Sequence, residues 1–170
     1  SLHNLENQLI LHSAVKQAEV SSSIKGNINI NLQQRIPIIR IQRKFPEKGY
    51  YIDNLGKVML LSDNYSAKVL IASGSIETKD NPQLFELAKF INQNNFWSAQ
   101  ILEIYITKNK NTILAPRVGN HKIEIGKINN LKKKFSKLFI FYKNGLAPSG
   151  WNEYSSINLK FNNQIVCTKK

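Results

Sequence analysis

Cysteine occurs once in these 170 residues, at Cys167. One thiol can neither staple its own chain nor build a zinc site alone. The redox compartment stays open on that ground, and the alternating pattern around Cys167 makes it a small packed side chain. Histidine occurs three times, as His3, His12 and His121, and none lies in an HxH, HExxH or Cys/His cluster. All three read as surface residues, with His121 beside a turn. The 11 acidic residues are scattered and offer no evident acid/base pair. Glycine-rich phosphate loops are missing, and Gly74-Ser75 lacks the rest of a nucleophile elbow. Apolar runs are short, as in Phe139 to Tyr142, far below the roughly 20 residues of a membrane span. No signal peptide is visible from Ser1 onward. Catalysis, metal binding and cofactor binding therefore have no motif to rest on, and a binding module is the expectation.

What is present is positive charge. Lys and Arg number 24, for a net +13, in a chain that is 42% hydrophobic and 21% charged. That composition is globular and fits one ordinary domain or two very small ones. Three readings of the charge stand side by side: nucleic-acid binding, proximity to anionic lipid headgroups, and a composition simply rich in Lys, Asn and Ile. The one short basic run is Lys132-Lys133-Lys134.

Periodicity divides the chain. Leu2, Leu5 and Leu9 predict a helix over 3–11, and an extended segment follows from Val15 to Ile24. After a Lys25-Gly26 turn, Ile28, Ile30 and Leu32 alternate with polar residues, which predicts a strand with one buried face. Pro37 points to an edge or a bulge, and Ile39 and Ile41 resume the alternation. Residues 45–49 read as a linker. Tyr50 to Leu60 reads as a hairpin in which Gly56 takes a positive φ, with Asp53 bonding local backbone N–H groups. Arg35 and Arg40 flank Pro37 and could grip a partner carboxylate or simply face solvent. Val69 to Ala72 is a short strand. Asn81-Pro82 starts a helix, with Asn as cap, whose apolar face is Leu84, Leu87, Ala88 and Ile91. Residues 102–125 predict a three-stranded meander. Leu131, Phe135, Leu138 and Tyr142 predict another helix, closed by Gly145, before a loop at Pro148 and Gly150. Ile157, Leu159 and Phe161 alternate, and the phase continues through Ile165 and Cys167. The fold class is α+β on a mostly antiparallel sheet.

Several blocks resemble a known family. Ala14-Val15-Lys16-Gln17-Ala18-Glu19-Val20, Ile28-Asn29-Ile30 and Arg35-Ile36-Pro37-Ile38 resemble the end of a POTRA domain. Tyr50-Tyr51-Ile52-Asp53 with Gly56 is similar to the block that follows it in FtsQ/DivIB bacterial cell-division proteins. Ile125-Gly126-Lys127 with the Lys-rich helix resembles that family's glycine-basic segment and penultimate helix. Ile157-Asn158-Leu159-Lys160-Phe161 resembles its closing strand, with Asn158 and Lys160 in place of the usual acid and arginine. Phe96-Trp97-Ser98-Ala99-Gln100 and the Pro37 block look like the Bacteroidetes branch. The resemblance implies a partial POTRA unit over 1–45 and an FtsQ-type β domain with two helices over 46–170. The first POTRA strand and helix, the membrane span and the cytoplasmic tail are expected outside this sequence. It also implies a non-catalytic divisome scaffold on the periplasmic side of the inner membrane, at the septum. Its partners would be membrane proteins of the FtsB/FtsL type, and through them it would help control septal peptidoglycan synthesis. No cofactor, metal, nucleic acid or small-molecule substrate is expected. The rival readings are a basic nucleic-acid-binding domain, a POTRA-type module of an envelope assembly system and, more distantly, a hydrolase.

The partner site implied is the closing strand together with Lys127. An edge strand offers unpaired N–H and C=O groups to an added strand, and alternate side chains give specificity. The candidate residues are Lys127, Tyr154, Ile157, Lys160, Phe161, Asn162, Gln164 and Val166. Phe161 is either a partner anchor or core. Asn162-Asn163 is either mid-strand or a tight turn, and in the second case the end is a hairpin and another strand forms the open edge.

Overall fold

The computed structural model describes residues 1–146 and 150–170, so Pro148 of the expected loop lies outside the described residues. The fold is α+β, as its sequence predicts. A first helix, α1 (Leu2–Ile10), precedes a two-stranded antiparallel sheet of β1 (Val15–Ser22) and β2 (Ile28–Gln34). The remaining strands form one nine-stranded sheet. They are β3 (Pro37–Ile41), β4 (Tyr50–Asp53), β5 (Val58–Leu60), β6 (Leu70–Gly74), β7 (Ile101–Ile106), β8 (Thr112–Pro116), β9 (Lys122–Gly126), β10 (Tyr154–Asn158) and β11 (Val166–Lys169). Their spatial order is β11-β10-β9-β8-β7-β6-β3-β4-β5, mostly antiparallel, so β5 and β11 are the two edges.

Three pairs are parallel: β3 with β6, β6 with β7, and β9 with β10. Parallel neighbours need a crossover rather than a tight turn. Helices α2 (Asn81–Asn92) and α3 (Asn95–Gln100) provide it between β6 and β7. Helix α4 (Leu131–Phe141), continued by a π-helical turn at Tyr142–Leu146, provides it between β9 and β10. The three helices meet through aromatic rings: Phe90 on α2 and Trp97 on α3 each lie 5.0 Å from Phe135 on α4. Beneath them, Ile39, Ile41, Ala72, Ile104, Leu114, Ile123, Ile125 and Ile157 form the buried side of the sheet. Each such isoleucine or leucine side chain contributes roughly 1.5–3 kcal/mol on burial.

Local sequence explains most boundaries. Pro37 opens β3 beside a register shift, where a missing N–H costs no ladder bond. Asp53 is fully buried. Its Oδ1 accepts from the backbone N–H groups of Leu55 and Lys57, and its Oδ2 from Arg35 at 2.9 Å. Arg35 is therefore spent inside the chain rather than on a partner carboxylate. Gly56 closes this hairpin at φ +79°. Helix α3 went unpredicted. Asn94 caps it, accepting from the N–H groups of Phe96 and Trp97.

Three expectations are corrected. Strand β2 forms, but its apolar face is not buried: Ile28, Ile30 and Leu32 are 57%, 47% and 51% exposed. They share a face with Ala18 and Val20 on β1, and α1 packs chiefly along β1, where Glu6 accepts from the Val20 N–H. Asn81 does not cap α2. Asp80 holds that position, while the Asn81 side chain accepts from the Tyr50 hydroxyl at 2.6 Å. His121 is buried, not on the surface, because the turn after Gly119 folds its ring inward against Tyr142. Residues 37–41 hydrogen-bond into the large sheet, between β4 and β6.

Candidate functional site

The C-terminal segment is a hairpin, not one long strand. β10 pairs antiparallel with β11, Ile157 facing Cys167 and Asn158 facing Val166. Leu159 still donates its N–H to the Glu124 carbonyl, after which the chain leaves the sheet and turns through Phe161, Asn162 and Asn163. The Asn pair thus acts as the turn that the second sequence reading allowed. β10 lies between β9 and β11 and has no free side. β11 pairs only with β10, and its outer side has no strand partner among the described residues.

The candidate residues consequently separate. Ile157 is fully buried and serves the core, so it cannot meet a partner. The single-strand reading failed here because Leu159 ends the inward phase and the next residues turn away. Tyr154 opens β10 with its ring 5.8 Å from that of Phe141. Lys160 pairs with Glu124 at 3.0 Å and lies over Gly126, where an added Cβ would stand 2.7 Å from its Cγ. Phe161 is 46% exposed and so is not core, and Asn162 and Gln164 are exposed in the turn. Val166 is 41% exposed and begins the open strand. These residues, Ile157 excepted, cluster around the β10–β11 hairpin. Lys127 lies on the β9–α4 connection, where it lines a shallow depression together with Lys160.

Two lysines of α4, which sequence reasoning did not single out, set the geometry of both regions. Lys134 is buried and donates to the carbonyls of Ile125 and Lys127, each at 2.8 Å, and to Asn129 Oδ1 at 2.9 Å. It fixes the loop that presents Lys127, whose side chain is exposed. Lys137 donates to the Phe161 carbonyl and, at 3.4 Å, to that of Gln164, holding the hairpin turn against α4. The available signal was the run 132–134 on a helix whose inner face passes through 134, but a lysine at such a position reads first as solvated.

Two concavities border the region. One, of about 420 Å³, is lined by Asp80, Gln83, Lys110, Thr112, Lys127 and Asn129. Lys110 is already engaged there by Glu77 and Asp80. The other, of about 440 Å³, is an open groove between Ile140 and Phe141 of α4 and Gln164 and Ile165 of the hairpin, alongside β11. Among the described residues no group of three or more His, Cys, Asp or Glu side chains could hold a metal ion. The buried imidazole of His121 faces the Tyr142 hydroxyl at 2.9 Å, not an acid.

A family model described as FtsQ/DivIB, C-terminal related, matches residues 36–168, beginning just before β3 and ending within β11. The chain belongs to this family. FtsQ/DivIB proteins are non-enzymatic scaffolds of cell division that act through protein–protein contacts, and the matched span includes the whole nine-stranded sheet apart from its last residue. No curated protein matches the chain. No helix among the described residues is long and apolar enough to cross a membrane.

Proposed function

We propose that this protein is a non-catalytic divisome scaffold that docks FtsB/FtsL-type membrane proteins on strand β11, at the periplasmic side of the inner membrane, and so helps control septal peptidoglycan synthesis. The observation that carries this reading is the unpaired outer side of β11. A segment added there gains main-chain hydrogen bonds, which supply affinity with little demand on sequence. Val166 offers a small apolar contact, Phe161 an aromatic one, and the groove between Phe141 and Ile165 receives a further side chain. Tyr154, Lys160, Asn162 and Gln164 surround the hairpin, and Lys127 supplies a second charge in the depression that Lys160 lines. The separate β1–β2 sheet with α1 supports a partial POTRA-like unit ahead of the FtsQ-type β domain.

The test is capture of the cognate FtsB/FtsL-type pair by the protein carrying Val166→Asp and Thr168→Asp, which place charge on the edge. Capture is expected to fall at least tenfold. The same exchange at the opposite edge, Val58→Asp on β5, is expected to leave it unchanged. Undiminished capture by the β11 variant, or equal loss from the β5 variant, removes β11 as the docking strand.

A further inference from the structure

The outer face of α4 borders the hairpin groove along Lys137 and Ile140 and otherwise faces solvent. Residues 131–146 contain five lysines (Lys132, Lys133, Lys134, Lys137 and Lys143) and no Asp or Glu. Lys134 turns inward and Lys137 is held by the hairpin turn. Lys132, Lys133 and Lys143 are exposed and form no ion pair among the described residues. At the centre of this face stands Ile140, 59% exposed, one turn from Lys137, Lys143 and Ser136. Phe139, half-exposed, flanks it and rests edge-on against the partly exposed Phe96 of α3, with ring centroids 5.2 Å apart. The helix thus shows solvent an apolar centre within a basic rim and no acid.

We infer that this face of α4 rests on an anionic lipid surface. Amphipathic helices with lysine on the polar side and aromatic or aliphatic residues beside it bind interfaces in this way. The lysine ammonium groups attract a negative leaflet, while Ile140 and Phe139 enter the headgroup boundary. The face fits a fluid headgroup layer better than a fixed protein surface. Its free lysines are held in no set geometry, and its apolar centre is far smaller than the core of a standard interface, which buries about 800 Å² per partner. The contact is a weak, salt-sensitive one, without spanning the bilayer.

The experiment is vesicle co-sedimentation of the full chain. Phosphatidylcholine vesicles containing about 30% phosphatidylglycerol are compared with pure phosphatidylcholine, at low and high salt. Binding is expected only to the anionic vesicles and is expected to be abolished by salt. The triple variant Lys132→Glu, Lys133→Glu, Lys143→Glu is expected to lose at least tenfold in affinity. A control of equal charge change, Lys16→Glu, Lys25→Glu, Lys48→Glu, is expected to lose less than threefold. Ile140→Ser, at an exposed position that folding does not need, is expected to weaken binding with the thermal midpoint unchanged. Equal loss in the control triple assigns binding to total charge and overturns the proposal. So does failure to bind the anionic vesicles at low salt. Saturable binding of an acidic peptide to this face without any vesicle binding makes it a protein-docking surface instead, which also overturns the proposal.

Discussion

Lys134 holds Lys127 from behind. The buried ammonium donates to the Lys127 carbonyl at 2.8 Å, so a helix residue seven positions later fixes the backbone that carries an exposed charge. A second bond to the Ile125 carbonyl and a third to Asn129 complete the clamp. Replacing Lys134 with Met keeps the length but leaves these acceptors without their donor. The expected loss is about 2 kcal/mol, seen as a fall of about 4–8 °C in the thermal midpoint. A midpoint within 1 °C of the parent would mean that water replaces the ammonium at no net cost.

Asp53 and Arg35 are expected to behave as a buried pair with unequal partners. Asp53→Ala removes the acceptor for Arg35 and for two backbone N–H groups, and is expected to cost about 3 kcal/mol. Arg35→Ala leaves the carboxylate its two turn bonds and is expected to cost less. Denaturant titration of both singles and the double measures the coupling. Strictly additive losses would show that the 2.9 Å contact contributes nothing.

His121 gives the fold a dependence on acid. Burial pushes its imidazole below the ordinary value, outweighing the Trp151 carbonyl, which favours the proton. The unfolded chain therefore binds more protons than the folded one between the depressed value and about 6.5. Stability is fully present above about pH 6.5 and falls as the pH drops through the folded value. His121→Gln is expected to flatten the denaturant midpoint across this interval. An unchanged slope would assign the acid sensitivity to other groups.

Lys127 is expected to matter less to docking than the strand does. An exposed ion pair contributes about 0–1 kcal/mol, so Lys127→Glu is expected to weaken capture of the FtsB/FtsL-type pair by no more than about tenfold, and that effect should shrink in salt. A larger, salt-resistant loss would place Lys127 at the centre of the interface.

Cys167 reports on the edge. It sits on β11, partly buried, and burial pushes its thiol above the ordinary value. At neutral pH it is expected to react with a disulfide reagent more slowly than an unhindered thiol. If a partner strand adds to β11, the rate should fall further in the complex. An unaltered rate in the saturated complex would count against that edge.

The sequence by itself determined the α+β class, the Asp53–Gly56 hairpin, the meander of β7 to β9 and the apolar faces of α2 and α4. These follow from periods of two and 3.6 residues and from turn chemistry, which act over a few neighbouring positions. Its ordered blocks, from Tyr50-Tyr51 to Ile157-Asn158-Leu159, also pointed to the family that the match over residues 36–168 establishes. Short-range pattern did not find α3, whose six residues depend on the Asn94 cap and on rings from α4.

Tertiary structure alone decided which strand is the open edge. An alternation from Ile157 to Cys167 that misses only Asn163 fits one long strand and a hairpin equally well, because a period of two does not record a turn that keeps phase. The Lys137 bonds to the turn and the pairing of Asn158 with Val166 resolve it in favour of the hairpin. The same holds for Ile28, Ile30 and Leu32, where alternation specifies a face but cannot specify what covers it. It holds again for Lys134 and His121, whose burial depends on carbonyls and rings brought to them by separate elements.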